Sequence, residues 1–384
     1  MVPVTAPPTL LPEELYVRAL NVGRRSAGVS GPNPPVGCVL VRDGIIVGEG
    51  STGPVGGPHA EVVALDAAGE AAHGATAIVT LEPCAHQGRT APCVDALLAA
   101  GVAEVHVLLR DPDPVAAGGL DVLARSGVRT VDVATVHAAL AEAAAHDLRG
   151  FLTRVRHARP HVTLKLAQRV DGDTVPPAGA YLTGTAARSR VHRLRAESDA
   201  VLIGSGTLAA DDPQLDVRLV DSGTQPRPVI LASRADVAPQ ARAVRAGTLI
   251  LVGPDAPSER RVALEAAGAR VIEVALDATG GALDVAAALH ALLDERILTV
   301  LAEPGLRLAD ALLAADVVDV VELHVAGGAT PSDVPQPALS ALTPLVALDA
   351  TRTGQVERIM TDDGDLILRH ARWAERHGRL EEVA

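Results

Sequence analysis

Two series of short β-rich runs alternating with helical stretches, separated by a single interruption, limit this chain to layered α/β folds. In the first series the runs are VGCVLV at 36–41, ATAIVT at 75–80, AEVHVLL at 103–109 and VRTVDV at 128–133. Helices are expected between them, near 12–28, 59–69, 93–100, 118–126 and 136–149, several opened by Pro or Asp and closed by Gly. The segment RVRHARP, ending at Pro160, is polar and basic, and it predicts a boundary before the fresh strand HVTLKLA. Further strands are expected at 199–203, 228–232, 247–252, 298–302 and 318–325, with helices near 185–197, 257–268, 282–294 and 306–315. The expected division is one α/β domain over 10–152 and another over 160–375, in keeping with a length of 384 residues.

Composition narrows the function classes. Hydrophobic residues are 48% and charged residues 21%, which is a folded, globular balance. Tyr16, Phe151, Tyr181 and Trp373 are the four aromatic residues, too few for base-stacking platforms or membrane belts. A net charge of −13 repels polyanions, so a phosphorylated substrate would need a local basic pocket. Neither a nucleic-acid nor a membrane partner is therefore expected. The opening MVPVTAPPTL lacks a basic n-region and a long apolar core, and no later stretch holds 18 unbroken apolar residues, so a cytoplasmic enzyme is expected. Beyond Trp373, ERHGRLEEVA reads as a frayed end. Three cysteines, an odd number, argue for metal or burial over a disulfide framework.

The chemistry-bearing motif lies in the first half. Pro58-His59-Ala60-Glu61 opens an apolar helix, so His59 and Glu61 project from a helix start. After ATAIVT, the run LEPCAHQGRTAPC sets Cys84 in a loop and Cys93 behind Pro92 at the start of another helix. One imidazole and two thiolates offer three ligands to a single zinc and leave the fourth tetrahedral position for water, the open arrangement of a catalytic site. Zinc lowers the pKa of such a water, and Glu61 is the natural proton carrier, as in zinc nucleobase deaminases. The usual deaminase spacing is PCxxC. Here eight residues separate Cys84 from Cys93, so a loop with His86, Gly88 and Arg89 is inserted beside the metal. Cys38 has no such partner and reads as strand core.

Together PNPPVGCVLV, HAEVVAL, TLEPCAHQGRTAPCVDALLAAGV and RDPDP resemble the deaminase half of the bifunctional riboflavin-biosynthesis deaminase/reductase family. The resemblance implies a cytidine-deaminase-like α/β/α domain that binds one zinc per chain. It acts on a diamino-ribosylamino-pyrimidinone 5′-phosphate and yields the corresponding uracil. It also implies that Asn33 contacts the base, and that His86 and Arg89 of the inserted loop grip the substrate. RDPDPVAAGG is similar to the family's DPNP segment but reads as one residue shorter.

HVTLKLAQRVDGDT and RVHRLRAESDAVLIGSGTLAADDPQLDVR resemble the reductase half of the same family. That implies a dihydrofolate-reductase-like domain using NADPH to reduce the ribosyl group to ribityl. No GxGxxG is present, so the cofactor must bind otherwise, and GSGT with ADDP supplies it in this family. Lys165 stands apart, because it is the only lysine among 34 basic residues and lies in an otherwise apolar strand. In the family this lysine pairs with the acidic residue of a later turn, here Glu303, and the two are expected to carry the reduction. Arg195, Leu215 and Arg218 match substrate positions. Ala167, Thr207, Asp211, Gly305, Leu306 and Arg307 match cofactor positions, and Ser233 with Arg234 would meet the 2′-phosphate. Three departures stand out. Tyr181 occupies the place of a nicotinamide-stacking Trp, the EGGPTL turn reads Glu303-Pro304-Gly305-Leu306-Arg307-Leu308, and the P-x-L-L-G segment after the last long strand reads HVAGGATPSD. They motivate one alternative, a deaminase whose second domain binds without reducing. A homodimer or tetramer is implied by the family.

Overall fold

The computed structural model describes residues 10–88, 91–176, 180–327, 335, 342 and 356–371. The chain divides between Ala158 and Arg159 into two compact units, both α/β. Among the described residues no helix is long and apolar enough to cross a membrane.

In the first unit the strands are β1 (Gly37–Arg42), β2 (Ile45–Ser51), β3 (Thr76–Val79), β4 (Glu104–Val107) and β5 (Arg129–Asp132). They form a sheet of order β2-β1-β3-β4-β5, in which β1 is antiparallel to both neighbours and β3, β4 and β5 are parallel. Its helices are α1 (Glu13–Arg24), α2 (Ala60–Ala68), α3 (Cys93–Ala99), α4 (Gly119–Arg125), α5 (Ala138–Asp147) and α6 (Arg149–His157). Alternation sorts the sheet residues, so that Val39, Val41 and Ile78 join Tyr16 and Leu20 of α1 and Leu140 and Ala144 of α5 in one buried cluster. Cys38 lies in β1 and is fully buried, as its strand position led us to expect.

Strand β2 was not expected, because IIVGEGS carries two glycines that weaken a strand signal. Packing explains both. A Cβ at Gly48 would lie 2.3 Å from the Ala64 carbonyl oxygen, and one at Gly50 would lie 2.2 Å from that of Ala60, so α2 can rest on β2 only where side chains are missing. Since α2 begins between His59 and Glu61, this close approach sets where both residues stand. Gly50→Ala is therefore expected to displace the start of α2 and weaken zinc retention by about 10-fold or more, the scale at which disturbed supporting contacts act. Metal analysis after dialysis against a chelator checks it, and zinc retention equal to the parent's would contradict it.

The boundary segment RVRHARP, within which the two units divide, is mostly helical. Residues 154–157 complete α6, and Ala158, in the left-handed region at φ 51°, caps it. The segment is basic because Arg154, Arg156 and His157 occupy the last turn, where cations complement the helix dipole.

The second unit holds a sheet of nine strands, β6 (His161–Arg169), β7 (Ala200–Gly204), β8 (Arg227–Leu231), β9 (Leu249–Val252), β10 (Arg270–Glu273), β11 (Thr299–Ala302), β12 (Val320–Ala326), β13 (Val356–Met360) and β14 (Leu366–Ala371). Their order is β10-β9-β8-β7-β11-β6-β12-β14-β13, with every neighbouring pair parallel from β10 through β12 and the last two strands antiparallel. Helices α7 (Thr185–Ala196), α8 (Ser205–Asp211), α9 (Ser258–Ala266), α10 (Val285–Asp294) and α11 (Leu306–Ala314) cover both faces. Ala200 and Leu202 pack in one buried cluster with α10 and α11, whereas Val201 and Ile203 pack in another with Leu194, Leu208 and Leu264 of α7, α8 and α9. Burial on both faces is why these strands read as continuous apolar runs.

Candidate active sites

Helix starts and loops bring the zinc motif together. His59 is the N-cap of α2 and Glu61 sits in its first turn, 4% exposed. Pro92 caps α3, so Cys93 is its first residue. The His59 Nδ1 lies 3.2 Å from Cys93 Sγ and 3.7 Å from Cys84 Sγ, and the Cys93 backbone N–H donates to Cys84 Sγ at 3.4 Å. One ligand atom from each of the three residues falls within 4.8 Å of the others. One imidazole nitrogen and two sulfurs at that separation fit a tetrahedral zinc with one position left open. A hydrogen bond from Cys93 pulls the Cys84 thiol down to about 4 against the effect of burial, with His59 adding to the shift, so Cys84 is a ready thiolate. Burial raises the Glu61 carboxyl to about 6, which keeps it able both to take and to give a proton near neutral pH.

His59, Glu61 and Cys84 open on a cavity of ≈400 Å³. His59, Glu61, Cys84, Asn33 and His86 line it, and the His86 Nδ1 is buried with no hydrogen-bond partner. Arg89 lies outside the described residues. Sequence reasoning missed Glu82, Phe151 and Arg154 and left RDPDP without a role, yet Asp111 and Asp113 also line the cavity. Burial raises Asp111 to about 6. Glu82 accepts hydrogen bonds from Arg110 and from the backbone N–H groups of Asp111 and Leu120, which ties RDPDP and α4 to the loop carrying Cys84. The missed signal was the i, i+3 spacing of Phe151 and Arg154 on a helix.

In the second unit strand register builds the other cluster. Lys165 pairs with Glu322 across β6 and β12, and Glu303 follows Ala302, the last ladder partner of Leu164. Leu164, Leu166 and Leu323 face α10 and α11, so Lys165, Glu322 and His324 face the opposite side, where α7 supplies Arg190 and Arg195. Sequence reasoning paired Lys165 with Glu303. The carboxylate is instead held bidentately by Arg195, at 2.7 and 3.0 Å, while the nearby Lys165 feels its charge. Burial lowers Lys165, Arg195 adds to that shift, and Glu303 and Glu322 oppose it. Burial also opposes ionisation of Glu322, but hydrogen bonds with His324 and Arg190 win and hold it at about 2. Glu322, His324 and Arg190 were not expected at this site. A buried charge in a β-strand looks like an ordinary solvent-facing residue until its partners are known.

The remaining expected positions are dispersed around that cluster. Ala167 pairs with His324 in the ladder. Leu215 is buried with φ 54°, and Arg218 bonds Asp216 while its backbone N–H donates to His192 Nδ1 at 3.1 Å. Thr207 and Asp211 lie on α8, and Thr207 Oγ1 accepts the Gly305 N–H at 2.9 Å. This bond ties the turn after β7 to the turn after β11, although Pro304 contributes no donor. Gly305 caps α11 without a side-chain hydrogen bond, so the backbone at Leu306 and Arg307 keeps donors suited to a nucleotide phosphate. Ser233 and Arg234 follow β8, at the same carboxyl-terminal edge of the parallel strands where α/β sheets bind ligands. Tyr181 is 66% exposed, and its ring stacks under the Arg188 guanidinium at 4.1 Å. The segment GATPSD that replaces P-x-L-L-G lies outside the described residues.

Known proteins carry the same two parts in the same order. The family described as cytidine and deoxycytidylate deaminase zinc-binding region matches residues 11–109, and the RibD C-terminal domain matches residues 160–351. The riboflavin biosynthesis protein RibD of Escherichia coli (strain K12) is 40% identical over 335 residues, covering 82% of this chain and 87% of the relative. RibD of Acinetobacter baumannii superposes with a TM-score of 0.73 at 32% identity, covering 94% of this chain and 98% of that one. A diaminohydroxyphosphoribosylaminopyrimidine deaminase/5-amino-6-(5-phosphoribosylamino)uracil reductase from Thermotoga maritima gives 0.71 at 28% identity, covering 93% and 97%. With a zinc-binding deaminase domain followed by a reductase domain, the chain belongs to the RibD family of bifunctional riboflavin-biosynthesis enzymes.

Proposed function

We propose that the first unit hydrolytically deaminates 2,5-diamino-6-ribosylamino-4(3H)-pyrimidinone 5′-phosphate and that the second reduces the ribosyl group of the resulting uracil with NADPH. The observation that carries this reading is the grouping of His59, Cys84 and Cys93 as metal ligands, with His59, Cys84 and Glu61 lining one cavity. His59, Cys84 and Cys93 would hold zinc, which supplies Lewis acidity and an acidified water. The Glu61 carboxylate takes one proton from the attacking water and delivers it to the ring nitrogen, then takes the second proton of that oxygen and delivers it to the amino group, which departs as ammonia. Asn33, His86 and Arg89 grip the substrate.

In the second unit NADPH supplies the hydride. Lys165 holds a proton beside the nitrogen of the open-chain imine, and Glu303, already oriented by Arg195, fixes the ribose hydroxyls. Arg218 and the backbone at Leu215 complete the substrate contacts. Ala167, Tyr181, Thr207, Asp211, Ser233, Arg234, Gly305, Leu306 and Arg307 are assigned to the cofactor. The reading keeps the expectation of a cytoplasmic homo-oligomer without a nucleic-acid partner, and the net charge of −13 supports the last of these.

The test feeds purified protein the diaminopyrimidinone ribosyl phosphate with NADPH and follows ammonia and NADPH in one sample. Ammonia followed by NADPH oxidation is expected. Ammonia alone would leave a non-reducing second unit, and neither signal from zinc-loaded protein would refute the substrate.

A further inference from the structure

Arg154 differs from the arginines held by carboxylates in the second unit. Arg159 is bound by Asp319 at 2.6 and 2.9 Å, Arg195 by Glu303 at 2.7 and 3.0 Å, and Arg190 by Glu322 at 2.6 Å. The Arg154 Nε is buried with no hydrogen-bond partner. Its guanidinium packs 5.4 Å from the centroid of the Phe151 ring, one turn earlier on α6, and both residues line the deamination cavity. Carboxylates are plentiful there but are turned to other work. Glu82 accepts from Arg110 and two backbone N–H groups, Asp111 accepts the Asp113 N–H, and Asp113 accepts the Val115 N–H. A buried guanidinium donor without an acceptor is costly, so an arginine kept in this state in an acidic cavity points to an acceptor that arrives with the ligand.

We propose that Arg154 is the phosphate grip of the deamination site, an inference that rests on the substrate proposed above. Among the described residues of the lining it is the one arginine, and the planar guanidinium fork matches phosphate oxygens in a bidentate manner. Phe151 holds the guanidinium plane, so less side-chain freedom is lost on binding. The division of labour in the cavity follows from charge. Carboxylates suit the amino groups of the pyrimidine, and Arg154 suits the only anionic group of the substrate. Neither matched family range, 11–109 or 160–351, includes Phe151 or Arg154.

The experiment compares ammonia release from the phosphorylated substrate and from its dephosphorylated nucleoside, in the full-length zinc-loaded parent, Arg154→Gln and Arg154→Lys. Zinc content and NADPH oxidation on the deaminated uracil serve as controls of folding. Arg154→Gln is expected to raise KM for the phosphorylated substrate by roughly 10–100-fold, the scale of a lost charge-assisted pair, with kcat nearly unchanged. KM for the nucleoside is expected to stay at the parent value, and Arg154→Lys to recover part of the loss. An unchanged KM for the phosphorylated substrate overturns the assignment, and so does an equal rise for both substrates, which would place Arg154 on the ring or ribose. If Arg154→Gln loses zinc, the same ratio of substrates is read in Arg154→Lys, where a KM rise confined to the phosphorylated substrate supports the phosphate contact, and parent-like selectivity or lost zinc overturns it. Absence of ammonia from the parent itself would instead refute the substrate reading.

Discussion

Glu61→Gln is expected to cut ammonia release by about 10²–10⁴-fold while zinc content and NADPH oxidation on the deaminated uracil stay at parent levels. The amide has the shape of the carboxylate but cannot accept and return a proton. Glu61 is 4% exposed in the first turn of α2, and its neighbour His59 is the helix cap, so an isosteric change leaves the ligand geometry in place. Metal analysis and the two separate assays measure the outcome. Ammonia release close to the parent rate would show that another group carries the proton.

The second large effect belongs to Lys165. Lys165→Met is expected to slow reduction by about 10²-fold or more without changing ammonia release. It is also expected to raise the denaturation midpoint, because burial first, and Arg195 after it, disfavour the charged lysine in the folded protein. The sign follows from proton linkage. With its folded-state value below the ordinary 10.5, Lys165 binds protons more weakly when folded, so its destabilising charge acts fully at low pH and is relieved as pH rises from the folded-state value to the unfolded one. Glu303 and Glu322 keep Arg195 and Arg190 as partners, so the substitution strands neither carboxylate. In the parent, the rate of reduction is accordingly expected to fall with rising pH at a point below that of an ordinary lysine. A faster-unfolding Lys165→Met protein, or one that still reduces, would refute this account.

Most of the element pattern was legible because apolar periodicity reports burial directly, and both faces of the second sheet are covered. Among the elements that escaped notice, besides α8 and β10, two have residues that answer to a neighbour. Strand β2 carries glycines demanded by α2, and α6 ends in arginines that read as a domain boundary. The hairpin of β13 and β14 is the antiparallel edge of the sheet and lies beyond the parallel series.

The chemistry divides in the same way. His59, Glu61, Cys84 and Cys93 could be named from spacing alone, since a metal demands particular donor atoms and helix starts place them predictably. Lys165 could be singled out from composition. That Glu303 is held by Arg195, that Glu322 stands opposite Lys165, and that Arg154 reaches the zinc cavity from the far end of its unit were decided by strand register and helix packing. Charged partners 100 or more residues apart in the chain leave no local periodicity, because their energies come from shared burial and not from neighbouring backbone.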